Sequence, residues 1–188
     1  MARLYIYDSN SGASTNRADS RFDSDETCTV GVGNTAQLLA ALDGLVTRGA
    51  VFDRVLLQTR GGPGHIRFGD EIIWDITLKE RFASRSYHTL FPLYTRIYFD
   101  GCNVANGSLG TEFLAAAGSI FLRSAGGEVL AFNNPGYGLP GWVPIIGGDT
   151  LRFGGQLRKL YFAPGGEVIA RRPYVRSGPH GHYARSKS

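Results

Sequence analysis

The chain has 188 residues, 43% hydrophobic and 19% charged, which suits one globular domain of average size with a sizeable core. Net charge is +4, but five basic residues and no acid lie between Arg171 and Ser188, leaving 15 basic against 16 acidic residues elsewhere. A near-neutral body offers no basic face for nucleic acid, no apolar run reaches membrane-spanning length, and the opening Met-Ala-Arg-Leu-Tyr-Ile-Tyr lacks a secretory pattern. The expectation is a cytoplasmic protein without nucleic-acid or membrane partners. Its two cysteines, Cys28 and Cys102, fit a reducing compartment.

Leu4-Tyr5-Ile6-Tyr7 reads as a buried strand. Residues 8–33 turn polar and form a long loop, with a short edge strand over Thr27–Val32 and a small acidic cluster at Asp23, Asp25 and Glu26 that reads as solvated surface. Cys28 lies there and reads as a structural or incidental thiol. Asn34 is a good N-cap for a helix over Thr35–Arg48, whose apolar residues Leu38, Leu39, Leu42, Leu45 and Val46 share one face; Gly49 ends it. Arg54–Gln58 is a second buried strand, parallel to the first. Thr59-Arg60-Gly61-Gly62-Pro63-Gly64 forces a turn. His65–Ile73 is a hairpin turning at Gly69-Asp70, with Trp74 and Ile76 continuing it. Thr77 is placed to cap a short helix over Leu78–Ala83, and Arg85–Tyr94 is a connection containing His88 and Pro92.

Thr95–Phe99 is a third parallel strand, ending at Asp100-Gly101 and followed at once by Cys102. After a small polar turn, Ser108–Ser124 carries a helical apolar pattern, capped by Gly126-Gly127. Glu128–Phe132 is a fourth parallel strand. Residues 133–149 are rich in Gly and Pro; Tyr137, Trp142 and Val143 there either line a pocket or pack as a lid. Leu157–Phe162 and Val168–Arg171 form an antiparallel hairpin at the sheet edge. The fold expected is α/β, a three-layer sandwich with a mostly parallel sheet and a C-terminal antiparallel edge hairpin. It forms a single domain over residues 1–172, with a basic untethered tail over 173–188. His180-Gly-His182 lies in that tail, no metal-ligand spacing occurs, and no cofactor is expected.

All C-terminal tips of a parallel sheet share one edge, so the glycine turn and Cys102 should face each other across about 5 Å if their strands are neighbours. The start of the following helix favours thiolate over thiol. Asp100 could orient a partner or simply start a turn; Asn103 reads as a turn cap and Glu112 as a helix-dipole acid. A flavodoxin-like domain binding a small ligand would share the strand, helix, strand order, but here the glycine loop precedes a hairpin instead of a helix.

Two segments carry a more specific signal. Thr59-Arg60-Gly61-Gly62-Pro63-Gly64 through Gly69, and Gly101-Cys102-Asn103-Val104-Ala105-Asn106-Gly107 through Phe113, resemble the two motifs of caspase-like cysteine peptidases (caspase, gingipain and legumain relatives), closest to a bacterial group. The resemblance covers about Leu4 to Asn133. It implies Cys102 as nucleophile, with the backbone N–H groups of Gly61 and Cys102 as the oxyanion hole. Arg60 stands where the family has its histidine base, and a guanidinium cannot take that proton. Three expectations follow: a catalytically impaired domain that binds a peptide or protein; a working cysteine endopeptidase with a relocated base, His65 or else His88; or an inactivated variant of a peptidase. His65 also reads as a plain hairpin residue.

Overall fold

The computed structural model describes residues 2–10, 26–134, 137–138, 150–151 and 156–176. A seven-stranded sheet is built from β1 (Arg3–Asp8), β2 (Thr27–Val32), β3 (Arg54–Gln58), β7 (Thr95–Asp100), β8 (Gly127–Phe132), β11 (Gln156–Phe162) and β12 (Val168–Arg176), in the order β12-β11-β8-β7-β3-β1-β2. The strands from β2 to β8 are mutually parallel, and β11 and β12 pair antiparallel at one edge. The α/β class, the mostly parallel sheet and the antiparallel edge hairpin therefore agree with expectation. A second sheet, β4 (Arg60–Gly62), β5 (His65–Phe68) and β6 (Glu71–Trp74), is an antiparallel ribbon. A third pairs β9 (Tyr137–Gly138) with β10 (Thr150–Leu151).

Three α-helices occur among the described residues: α1 (Thr35–Thr47), α2 (Asp75–Arg81) and α3 (Gly107–Phe121). The Asn34 side chain accepts the Gln37 N–H at 2.8 Å and opens α1, and Gly49 at φ 64° follows its end. Alternation decides the layers. Leu4, Ile6, Val55, Leu57, Ile97, Phe99, Val129 and Ala131 face one way and pack with Leu38, Leu42, Leu78, Phe113 and Ile120, so all three helices cover the same face. Tyr5, Leu56, Tyr98, Leu130, Phe132 and Leu157 form a separate buried cluster on the other face. Two layers are thus described where three were expected.

Some boundaries move. Arg60–Gly62 is a strand, although glycines disfavour one, because β5 pairs along it. Thr77 does not cap a helix at Leu78. The helix starts at Asp75, Ile76 belongs to it, and the Thr77 hydroxyl accepts the Trp74 N–H at 3.4 Å. The strand β12 runs to Arg176, past the boundary expected at 172, and Pro173 is tolerated because β12 is the edge strand. Asp23, Asp25, Trp142, Val143, His180 and His182 lie outside the described residues. No helix among the described residues is long and apolar enough to cross a membrane.

Candidate functional site

The strands β3 and β7 are neighbours, with Gln58 opposite Asp100, so their C-terminal tips deliver the Arg60 ribbon and the Cys102 turn side by side. The turn is held from two directions. The Asn103 N–H donates to the Asn134 carbonyl at 3.1 Å and the Ala105 N–H to the Phe132 carbonyl at 3.0 Å, which ties it to the end of β8. The Gly64 N–H donates to the Val104 carbonyl at 3.1 Å, which ties it to the glycine segment. Asn103 takes φ 57°, a left-handed conformation that asparagine tolerates better than most residues, so the chain reverses immediately after the thiol.

Gly61 has a packing reason to be glycine. A Cβ there would stand 2.6 Å from Val104 Cγ2, 3.0 Å from the His65 carbonyl oxygen and 3.2 Å from the Cys102 carbonyl oxygen. Gly101 meets the same Val104 methyl at 2.8 Å. Val104, buried at 0% exposure, therefore sits in a notch made by two bare Cα atoms and locks Gly61 against the cysteine turn. Cys102 itself is half-buried and is a thiol, not a disulfide.

Arg60 and Gly62 project from one face of the ribbon and Gly61 from the other. Arg60 is exposed, lies directly opposite Arg67, and makes no ion pair with any described residue. Arg67 is held by Asp70 at 3.2 Å. His65 pairs across the ribbon with Gly62 and Trp74. Its ring stands 4.4 Å from the Trp74 ring, centroid to centroid, and covers the Gly62 Cα, where a Cβ would come within 2.5 Å of it. The imidazole is thus wedged between an indole and bare backbone, on the face that carries Arg60.

Burial holds the His65 imidazole below its ordinary 6.5, the Arg67 charge adds to that, and the Pro63 carbonyl opposes it. The ring is therefore neutral at pH 7, the state a proton acceptor needs. His88 is also lowered, by burial and then by Arg123. The sign for stability follows: below pH 6.5 the unfolded chain takes up protons that the folded rings resist, so stability falls as pH drops through that value. We expect an NMR titration to place the His65 midpoint below 6.5, and His65→Asn to flatten the acid limb of the stability profile. A midpoint above 6.5 contradicts the burial argument.

His88 is in the wrong place for a base. It belongs to the 3-10 turn Tyr87–Leu90, ahead of the N-terminal end of β7, where its Nδ1 meets Ser124 Oγ at 2.9 Å. Cys102 follows the other end of that strand, roughly 20 Å away along six residues. Asp100 is buried, and its Oδ1 accepts the Tyr98 hydroxyl at 3.2 Å. Glu112 is exposed. Cys28 is half-buried in β2 and packs against the core.

Other residues shaping this edge are Val104, Trp74, Asp8 and Asn10. The Asp8 carboxylate accepts the Asn10 N–H at 3.0 Å and the Gly69 N–H at 3.2 Å, fastening the ribbon's turn to β1. Asn10 Nδ2 donates to the Gly33 carbonyl at 2.9 Å, which draws the β2 end into the same cluster. An acid at a strand tip with asparagine two residues on (Asp8-Ser9-Asn10) is the only sequence signal for this link. Among the described residues, no group of three or more His, Cys, Asp or Glu side chains could hold a metal ion.

Fold and site together define an α/β protein with a half-buried thiol at the carboxyl edge of a central strand, packed against a glycine ribbon. Compared with protein-family models, curated proteins and solved structures, the chain matches none.

Proposed function

We propose that this chain is a caspase-like domain that binds a peptide or protein segment at the Cys102 edge without cleaving it efficiently. The observation that carries the reading is the contact of Gly61 with the Cys102 turn, with Arg60 next in sequence, exposed and unpaired among the described residues. A thiol nucleophile, a glycine backbone beside it and an extended ribbon edge are parts of a peptide-binding site. A base of suitable pKa is the missing part, because guanidinium stays protonated.

A second reading has one observation in its favour. His65 is neutral, desolvated and on the Arg60 face of the ribbon, so a cysteine endopeptidase with His65 as base is the competing proposal. Hydrolysis of a mixed peptide panel separates the two, measured for the native chain, His65→Ala and Cys102→Ala alongside alkylation of Cys102 against pH. The expected result is Cys102 alkylation with no Cys102-dependent hydrolysis, and no effect of His65→Ala. Cleavage by the native chain that His65→Ala abolishes overturns the binding-only reading.

A further inference from the structure

The ribbon β4-β5-β6 buries one face and shows the other. Ile66, Phe68 and Ile73 are 1% exposed or less and join the helix-side core. The alternate positions Arg60, His65, Arg67, Ile72 and Trp74 therefore share the outer face. The solvated face of an antiparallel sheet is ordinarily polar. Here Ile72 is 41% and Trp74 36% exposed, two residues apart on β6. That strand is also an edge, since among the described residues it pairs with β5 alone. An apolar, uncovered edge is what a docking segment uses.

Trp74 is held ready. Its ring rests on the His65 imidazole at 4.4 Å, and that imidazole lies on the bare Gly62 Cα. A ring already fixed loses little freedom when a ligand covers it. The apolar surface extends to Leu109, 50% exposed at the start of α3, which abuts Gly64: a Cβ on Gly64 would stand 2.6 Å from Leu109 Cβ. The Gly64 N–H is bonded to the Val104 carbonyl, so this band reaches the cysteine turn.

Arg60 stands at the other side of the same face. One row crosses the ribbon from Arg60 to Arg67 to Ile72, so Arg60 and Ile72 lie two strand spacings apart, about 9.6 Å. Arg67 is engaged by Asp70 and supplies no free charge. Arg60 is exposed and faces that guanidinium without an acid of its own among the described residues. Like charges directly opposite one another on a sheet are destabilising, so a carboxylate at Arg60 removes a repulsion. The acids of the ribbon and its exit are already used: Asp70 by Arg67, Glu71 by the Thr35 N–H at 3.0 Å, and Asp75 by Lys79 at 2.7 Å. A second copy of the chain therefore brings no free carboxylate from this face.

We propose that the outer face of the ribbon is a docking surface for a partner polypeptide that carries a bulky apolar side chain and, two residues away, an acidic one. The apolar side chain covers Trp74 and Ile72, and the carboxylate meets Arg60. Residues two apart in an extended segment project to one side about 6.5 Å apart, and the long arginine and glutamate side chains span the rest. Tryptophan and arginine are the residue types that most often carry binding energy at protein interfaces. A nucleic acid fits less well, because its binding rests on several cations and this face offers one free guanidinium beside Asp70 and Glu71. Gly61, which touches the cysteine turn, projects from the opposite face, so this surface adds to the peptide binding proposed at Cys102 and does not depend on it.

Fluorescence anisotropy tests this with labelled probes of equal length: repeats of Ser-Phe-Ser-Glu, of Ser-Phe-Ser-Gln and of Ser-Ala-Ser-Glu, and a single-stranded oligonucleotide. The native chain is expected to bind the Phe-Glu peptide tightest, and more weakly as salt rises. Trp74→Ala and Arg60→Glu should each weaken it by about tenfold or more, Arg60→Gln should weaken it less, and Cys102→Ala should bind as the native chain does. Thermal melts confirm that each variant is folded, and Ile72→Ser, which alters one exposed side chain, replaces Trp74→Ala if that variant does not fold. Equal binding by the native chain and folded Trp74→Ala or Arg60→Glu overturns the proposal. So does equal binding of the Gln or the Ala peptide, tighter binding of the oligonucleotide, or absence of Phe-Glu binding at low salt. Binding lost in Cys102→Ala but kept in Trp74→Ala puts the peptide at the thiol, which overturns this surface and leaves the function proposed above standing. Self-association of the native chain that Trp74→Ala abolishes gives the face to a second copy and likewise overturns it.

Discussion

Arg60→His is expected to switch on peptide hydrolysis that depends on Cys102, by roughly 10²–10⁴-fold over the native chain. That range is the usual contribution of one positioned acid–base group and corresponds to about 2.7–5.5 kcal/mol of barrier. The physical step is specific. When a thiolate attacks a peptide carbonyl, the departing amine must receive a proton from a neighbouring group that took it from the thiol and holds it as a weak acid. Arginine keeps its protons at any ordinary pH, whereas histidine with a pKa near 6.5 exchanges them. Position 60 immediately precedes Gly61, whose Cα lies against the Cys102 carbonyl, so a side chain there departs one residue from the thiol turn. Arg60 is exposed at the start of β4, so the substitution removes no buried contact.

The controls decide the interpretation. The double variant Arg60→His with Cys102→Ala should be inactive, because the nucleophile is gone. Arg60→Lys should stay inactive, since it keeps the charge without supplying a base near pH 7. The Arg60→His activity should rise with pH through the histidine range. If Arg60→His is folded yet no more active than Cys102→Ala, position 60 is not a base position and the caspase-like reading loses its mechanistic support.

Much of the frame was legible because it rests on local pattern. The apolar runs at Leu4, Val55, Ile97 and Val129 mark strands buried on both sides, and the spacing of Leu38, Leu42 and Leu45 marks α1. The adjacency of Gly61 and Cys102 followed from the shared edge of a parallel sheet. What was not legible depends on partners distant in sequence. Gly61-Gly62 reads as a turn until β5 pairs with it. Trp74 reads as strand and ends β6, but Ile76, also read as strand, is 57% exposed on the first turn of α2. His88 looked like a candidate base until β7 separated it from Cys102. That Arg3, Arg54 and Arg96 stand side by side was invisible to composition, since these positions meet only through strand register.

Two glycine-to-alanine substitutions in helices should move stability in opposite directions, and the contacts around each Cα say why. Alanine is favoured over glycine in a helix interior by about 1 kcal/mol. At Gly44 in α1 that preference acts alone: the nearest atom to a Cβ is Arg48 Nη1, at 3.7 Å. Gly44→Ala is expected to stabilise the protein by roughly 0.4–1 kcal/mol. Gly110 lies early in α3, buried against the Cys102 turn. A Cβ there would fall 2.2 Å from the Ala105 carbonyl carbon and 2.6 Å from its oxygen. Those atoms are backbone, and the Ala105 N–H is itself bonded to Phe132, so the neighbour cannot turn aside as a side-chain tip would. Overpacking of this kind costs typically 1–3 kcal/mol and occasionally more. Because the obstruction is main chain, the upper end applies, and the helix preference offsets only about a third of it. The net loss should be about 2 kcal/mol, a fall in Tm of roughly 4–8 °C for a domain of this size. Relief requires α3 to move away from residues 102–105, so Cys102 alkylation should also change rate in Gly110→Ala and stay constant in Gly44→Ala. Equal melting temperatures for the two variants would mean that α3 does not pack on the cysteine turn as described.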